Sequence, residues 1–410
     1  MDRGFFPLDE ELKLLPGSLT PYGHEILVRL SAWMPFKKAV ELLADLVGIG
    51  VSRSQGRRYA EGAGAAYVEI QNQAVEQIEK GLPAGQQGSS AKLQISADGA
   101  MVPLLHGQWG EVRTLVIGEV QPAVKEKEEW VVHTRELSYF SRKVSAQEFG
   151  RLSLVEMHRR GVENAKQVAA IMDGAEWEQG FIDYHCPNAT RILDFPHAGE
   201  HISPIGEYLH GQNTPEGKQW LGEKLHQLKQ DGPTGLLTEI RQLQEQYPDV
   251  EAISANLAYL EKREAQMQYP VFQAQGWPIG SGIVESGNKL VVEARLKGSG
   301  MHWDDPNVEA MLALRNILCS DRWKEEWPKI ETQLRQHNSD QRQQLHQSRA
   351  AQKASMIPEV TPPAVPVDDR HETFMPAMLR PATPRQPKVN SWRKFKYGRA
   401  LYQRKELPKN

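Results

Sequence analysis

The sequence predicts an α/β protein: a mixed sheet in the order βββαβαβ, then a helical insertion and a last core helix, all preceded by an all-helical segment. Two observations predict it. The apolar period is helical up to about residue 81 and becomes strand-like from Lys92. From Ser145 onward, short apolar runs alternate with amphipathic stretches, the pattern of strands joined through helices. At 410 residues the chain has room for about two to three domains of ordinary size.

Each element has its own justification. Between Thr20 and Gly81 the helical spacing is interrupted at Met34-Pro35 and at Gly48-Ile49-Gly50-Val51-Ser52, giving a helical domain over residues 1–85. Residues 86–90, rich in glycine and serine, read as a linker. Residues 92–105, 111–120 and 130–144 are rich in β-branched and aromatic residues and read as three strands of a meander. An amphipathic helix over 149–167 follows, then a buried strand at 168–172 closed by Asp173-Gly174, a helix over 177–184, an apolar run at 190–195 and a helix opening near His197. This is the element order of an RNase H-like core, with its first part at 91–213 and its last part at 271–325. The long helical stretch between them makes 214–270 an insertion. Residues 326–410 read as helical, then as a disordered basic tail, since beyond Leu345 periodicity gives way to Pro, Gln and Ala.

Composition narrows the class. A net charge of −3 excludes a protein that coats nucleic acid non-specifically, so any DNA-binding surface must be local. Two cysteines, Cys186 and Cys319, stand far apart without a CxxC, which fits a reducing cytoplasm and neither a disulfide framework nor a cysteine zinc site. No run approaches the ~18 apolar residues of a membrane helix, and a soluble, cytoplasmic, nucleoid-associated protein is expected.

Three acids mark places where a strand or helix meets a glycine-bearing turn. Asp98 lies in Ser96-Ala97-Asp98-Gly99, Asp173 in Ile171-Met172-Asp173-Gly174, and Glu285 in Gly280-Ser281-Gly282-Ile283-Val284-Glu285-Ser286-Gly287. In the predicted sheet the first and fourth strands are neighbours, so Asp98 and Asp173 project side by side, with Glu285 facing them from the last helix. Converging carboxylates repel one another, and a hard divalent cation with oxygen ligands relieves that repulsion. Taken singly, each acid also suits a turn or a helix N-terminus. A zinc cluster of His185, Cys186, His197 and His201 is the competing metal reading, but its spacing is not a standard zinc pattern.

The blocks Asp98-Gly-Ala, Ile171-Met-Asp173-Gly-Ala-Glu-Trp177, Leu193-Asp194-Phe-Pro-His197 and Gly280-Ser-Gly-Ile-Val-Glu285-Ser-Gly-Asn-Lys289 resemble the motifs of DDE-type bacterial insertion-sequence transposases. The likeness is greatest to the Kra-type family, which in turn looks like Mutator-type transposases, and it covers roughly residues 5 to 325. The resemblance implies Asp98, Asp173 and Glu285 as ligands of two Mg²⁺ ions, with Mn²⁺ able to replace them in vitro, and His197 near the catalytic centre. It also implies transposon ends and target DNA as substrates, and a homo-oligomer assembled on them. Lys289, one turn after Glu285, would contact a phosphate or simply pair with Glu285, and Arg295, Lys297 and His302 extend that basic side.

A helix-turn-helix is read near residues 36–60. Ser52 caps its second helix, and Arg53, Gln55, Arg57 and Arg58 are of the residue types that contact bases and phosphates; a helical hairpin with a solvated basic face is the alternative. In the tail, Arg393, Lys394 and Lys396 lie among aromatics, a composition suited to holding DNA.

Overall fold

The computed structural model describes residue 15 and residues 17–81, 92–126 and 129–355. The N-terminal helices are α1 (Pro21–Trp33), α2 (Phe36–Val47) and α3 (Arg53–Glu79). Strand β1 (Lys92–Pro103) pairs antiparallel with β2 (Trp109–Val120) from Leu93↔Glu119 to Pro103↔Trp109. A small ribbon, β3 (Val124–Glu126) with β4 (Glu129–Val131), interrupts the meander before β5 (Thr134–Arg142) returns antiparallel along β2. The expected third strand over 130–144 is therefore two strands.

Helix α4 (Ala146–Arg159) leads to β6 (Gln167–Met172), which runs parallel to β1, and α5 (Glu176–His185) leads to β7 (Thr190–Leu193), parallel to β6. The result is a mixed sheet of order β5-β2-β1-β6-β7. Helix α4 ends earlier than the expected 167 because the chain turns through Gly161 in the left-handed region, at φ 62°. The stretch after α6 (Phe195–His210) is not one helix but α7 (Pro215–Asp231), α8 (Pro233–Gln246) and α9 (Glu251–Lys262), broken at Gly232-Pro233 and near Pro248. After the short α10 (Tyr269–Ala274) comes α11 (Gly282–Gly287), continued by a π-helical stretch (Asn288–Glu293) and an α-turn (Ala294–Leu296). Two further helices close the described chain, α12 (Asp305–Cys319) and α13 (Trp323–Ser355). Helix α12 is buried from Ala310 through Leu318, so it has no polar face to betray it by period.

The two-residue period of the strands sorts the core. Ile95, Ala97, Leu115, Ile117, Ala170 and Met172 face one side, where they pack with Phe149, Leu152, Phe181 and Ile182 of α4 and α5. The other side carries two separate clusters. Ala100, Val102, Val112 and Val116 pack with Val284, Val291, Leu312 and Trp327, while Ala169 and Ile171 pack with Ile202, Leu237, Ile253 and Leu260 of the insertion side. The seam between those clusters runs over the β1–β6 boundary.

The N-terminal helices, expected as a domain of their own over 1–85, share the first of these clusters through Val28, Ala32, Ala60, Ala63 and Tyr67. They belong to the same compact unit as the sheet, which takes in residues up to Ala351; from Gln352 on, only the end of α13 is described. Closest approach is at Gly64 of α3, where an added Cβ would lie 2.1 Å from the Ala310 carbonyl oxygen. Alanine gains ~1 kcal/mol over glycine in a helix, but overpacking against backbone, which cannot rotate away, costs about 1–3 kcal/mol or more. Gly64→Ala is therefore expected to lower stability in urea unfolding, and a variant as stable as the parent would contradict this helix contact.

Edge strand β5 is covered instead of left open. Ser141 N–H donates to Asn316 Oδ1 at 3.0 Å while Asn316 Nδ2 donates to the Ser141 carbonyl at 3.1 Å, so one side chain pairs like a peptide group. Tyr139 N–H donates to Ser320 Oγ at 3.0 Å beside it. Among the described residues no helix is long and apolar enough to cross a membrane.

Candidate active site

β1 and β6 run parallel with Ile95 opposite Ala170. Three residues further along, Asp98 stands inside β1 opposite Thr114 and Asp173 follows the last residue of β6, and extending the register places the two acids side by side. Both have the side-chain parity of the clustered face, Asp98 with Ala100 and Val102, Asp173 with Ala169 and Ile171. They open into the seam between the two clusters. Here the connections diverge: β1 continues through a hairpin into β2, while β6 crosses to β7 through α5.

β7 adds a third aspartate: Leu193 pairs with Met172, which puts Asp194 next to Asp173. Its carboxylate is already committed, however. Oδ2 accepts the His197 N–H at 3.0 Å as the N-cap of α6, and Oδ1 accepts the Ser281 N–H at 2.6 Å. Asp194 thus clasps the glycine-rich loop and sets where α11 begins. The sequence left its role open; the two bonds assign it.

The remaining acids are electrostatically exposed to one another. Burial pushes the Asp173 carboxyl up to about 6, with repulsion from Asp98, Asp194 and Glu200 adding to it and His197 opposing it. Asp98 is also raised, chiefly by burial, against the pull of bonds from the Gly99 N–H at 2.6 Å and Asn288 Nδ2 at 2.9 Å. Among the described residues no cationic side chain forms an ion pair with either. A further acid was missed from the sequence: Glu178, 2% exposed, accepts the Gly174 and Ala175 N–H groups at 2.8 and 3.1 Å. Burial and the Asp173 charge push it up to about 8. Its spacing after Asp173-Gly-Ala is that of an acid reaching back over a helix start, and that was the available signal.

Insertion residues hold the Asp173 turn from behind. Tyr259 donates its hydroxyl to the Asp173 carbonyl, and Arg263 donates to the Gly174 carbonyl. The Arg263 guanidinium lies 3.7 Å from the Tyr259 ring centre, and His201 stacks on the same ring at 3.6 Å. Gly174 has φ 81°, and a Cβ there would lie 2.4 Å from Arg263 Nε, so both backbone and packing require glycine. His197 borders this group, its Nδ1 3.1 Å from Glu200 and its ring 5.1 Å from His201.

Glu285 is not brought to the aspartates. Its side chain is 68% exposed and bonds the Lys289 ammonium, which lowers the Glu285 carboxyl and raises Lys289. The residue of that helix that reaches Asp98 is Asn288, three positions later. Gly287 makes this possible, since a Cβ there would stand 2.7 Å from Val116 Cγ2 and hold the helix off the sheet. Among the described residues no group of three or more His, Cys, Asp and Glu side chains is arranged to hold a metal ion. The four residues of the zinc alternative are likewise not brought together: His185 bonds the Gly150 carbonyl at 2.7 Å, while His201 bonds Asn256 Oδ1 at 2.8 Å and stacks on Tyr259. What does fit a hard cation is oxygen chemistry: two desolvated, mutually repelling carboxylates and the buried Asn288 Oδ1, which has no hydrogen-bond partner.

The expected basic residues divide. Arg53, Arg57 and Arg58 are exposed on the first turns of α3, which Ser52 caps as expected. Gln55 is spent on the cap, accepting the Ser52 N–H at 2.9 Å. That helix runs on to Glu79, far beyond a short recognition helix, because its later turns are needed in the core. Lys37, Arg53, Arg57 and His302 line a cleft of about 380 Å³ between α2, α3 and the loop before α12. Arg295, expected to face DNA, is 1% exposed: it donates to the Ser31 carbonyl at 2.8 Å and lies over the Phe36 and Trp303 rings. It fastens α1 to the core and forms part of the wall of that same cleft. Lys297 pairs with Glu293 at 2.6 Å. Arg393, Lys394 and Lys396 lie outside the described residues.

Compared with known protein families and with characterised proteins, the chain matches none.

Proposed function

We propose that the chain is a DDE-type transposase of the insertion-sequence kind, built on an RNase H-like core, which cleaves transposon ends and joins the freed 3′ hydroxyl to target DNA. The observation that carries this reading is the placement of Asp98, inside β1, and Asp173, just past the end of the neighbouring parallel β6, both desolvated and without an ion-pair partner among the described residues. The order β5-β2-β1-β6-β7 supports it, being the order such a core requires.

Asp98 and Asp173 would hold Mg²⁺, or Mn²⁺ in vitro. Bound ions supply charge neutralisation at the scissile phosphate and lower the pKa of the attacking water. The protein's own groups do the positioning. Tyr259 and Arg263 fix the turn that presents Asp173, Asn288 orients Asp98, and Asp194 sets the start of the helix carrying Glu285. To join the acidic set Glu285 must leave Lys289, an exposed ion pair of the kind that contributes little and is screened by salt, and its helix must turn as well, since it now presents Asn288 to Asp98. Lys289 is then free to meet a phosphate, and Arg53, Arg57 and Arg58 give the local basic surface that a chain of net charge −3 needs to bind DNA.

The test is incubation of the protein with duplex DNA carrying the terminal repeats of its element, Mg²⁺ and a plasmid target. Joined products are expected. Cleavage without joining would make it a nuclease of the same fold, and binding without cleavage a transposase-derived DNA-binding protein.

A further inference from the structure

We propose that the side-chain oxygen of Asn288 is a neutral ligand of the cation held by Asp98 and Asp173. The inference rests on the two-aspartate reading above and adds a residue to it. Asn288 is 6% exposed, its Nδ2 donates to Asp98 Oδ2 at 2.9 Å, and its Oδ1 is buried without a hydrogen-bond partner. Oδ1 shares a carbon with the nitrogen bound to Asp98, which keeps it in the neighbourhood of that carboxylate. A buried carbonyl oxygen left without a donor is unfavourable, and in a folded core such a group signals a missing partner.

Chemistry selects the partner. No N–H or O–H among the described residues reaches this oxygen, and an amide oxygen is a regular ligand of hard divalent cations. It adds a donor without adding a third negative charge to two carboxylates that already repel. The local backbone is built for the approach: Gly287 lets the helix lie against β2 and β5, and the helix passes into its π-helical stretch at Asn288. Single π-turns inside helices recur at functional sites.

The experiment is Mn²⁺ binding to the full chain, by calorimetry and by the electron-spin resonance of free Mn²⁺, in the parent, Asp98→Ala, Asn288→Ala and Asn288→Asp. Asp98→Ala is expected to abolish binding, Asn288→Ala to weaken it about tenfold or more, the size of effect seen when groups supporting a metal are removed, and Asn288→Asp to keep it. Asn288→Leu, similar in size and without the oxygen, serves if the alanine variant fails to fold. Unchanged affinity in Asn288→Ala or Asn288→Leu would overturn the assignment. So would an equal loss in Asn288→Asp, which would show that the N–H bond to Asp98 is what counts. Should Asp98→Ala bind Mn²⁺ as tightly as the parent, the aspartate site itself would fall, and this ligand with it.

Discussion

Exchanging Asp173 for asparagine is expected to lower metal-dependent strand cleavage by about three orders of magnitude while leaving the metal-free protein as stable as the parent, or more so. The first half follows from charge: each ligand that places a cation at a reacting phosphate contributes several kcal/mol to the transition state, and ~1.4 kcal/mol is a factor of ten in rate. The second half follows from the cost of assembling the site. Burial and neighbouring acids raise the Asp173 carboxyl to about 6 in the folded chain, above its ordinary 3.8. A raised acid contributes stability only below its unfolded value and loses it as pH rises through the folded value, so at pH 8 the ionised side chain opposes folding. The neutral amide of Asp173→Asn would remove that opposition. Melting curves in chelator should show parent and Asp173→Asn diverging as pH rises from about 4 to beyond 6, with the variant the more stable. Added Mn²⁺ should then raise the parent's melting temperature more than the variant's. A variant that cleaves at the parental rate, or one that is much less stable than the parent at pH 8, would sink the assignment of Asp173 to a site strained for function.

Glu156→Ala is expected to show the opposite pairing, with a large loss of stability from a residue far from the proposed chemistry. Glu156 of α4 is 4% exposed and receives both arms of Arg322 at 2.7 Å, just before α13. Alongside, Arg159 bonds Glu326, itself 1% exposed, at 2.7 Å, and Lys329 joins it at 3.0 Å. Burial alone would raise the Glu156 carboxyl, but Arg322 and Arg159 outweigh it and hold the group below its ordinary value. Removing one partner leaves a buried guanidinium uncompensated, at a cost of about 3–5 kcal/mol. The double variant Glu156→Ala with Arg322→Met should lose less than Glu156→Ala alone, because it leaves no orphaned charge. A lowered acid stabilises above its unfolded pKa, here 4.5, and loses that stability as pH falls through the folded value, so the gap between parent and Glu156→Ala should close in acid. An equally large gap at pH 3 would show that packing, not charge, is what was lost.

Much of the fold was legible because it depends on local period. The alternation in 92–120, the apolar runs ending at Met172 and Leu193, and the cap at Ser52 each announce themselves within a few residues. Boundaries were less legible where a single turn decides them, as at Gly161, or where a helix such as α12 is buried on all sides and carries no amphipathic stripe. At the candidate site, Asp98 and Asp173 could be paired from sequence because the strand order makes their strands neighbours. Glu285 could not be placed the same way. A helix offers several stripes, and Gly287 pressed against Val116 turns the stripe of Asn288, not that of Glu285, toward Asp98.

The basic residues teach the same lesson from the other direction. Arg53 and Arg295 are equal as letters; one is exposed at a helix start, while the other is locked between Phe36, Trp303 and the Ser31 carbonyl. By itself the sequence determined the broad alternation of strands and helices, the acids in the first and fourth strand segments and the capped helix bearing arginines, since these are properties of neighbours along the chain. Only the tertiary structure decided that the N-terminal helices join the core, that Asp194 is a clasp and Glu178 a buried acid, and that Asn288 meets Asp98. Those outcomes depend on which distant side chains compete for the same donor, the same space and the same dielectric, and that competition begins only when the elements pack.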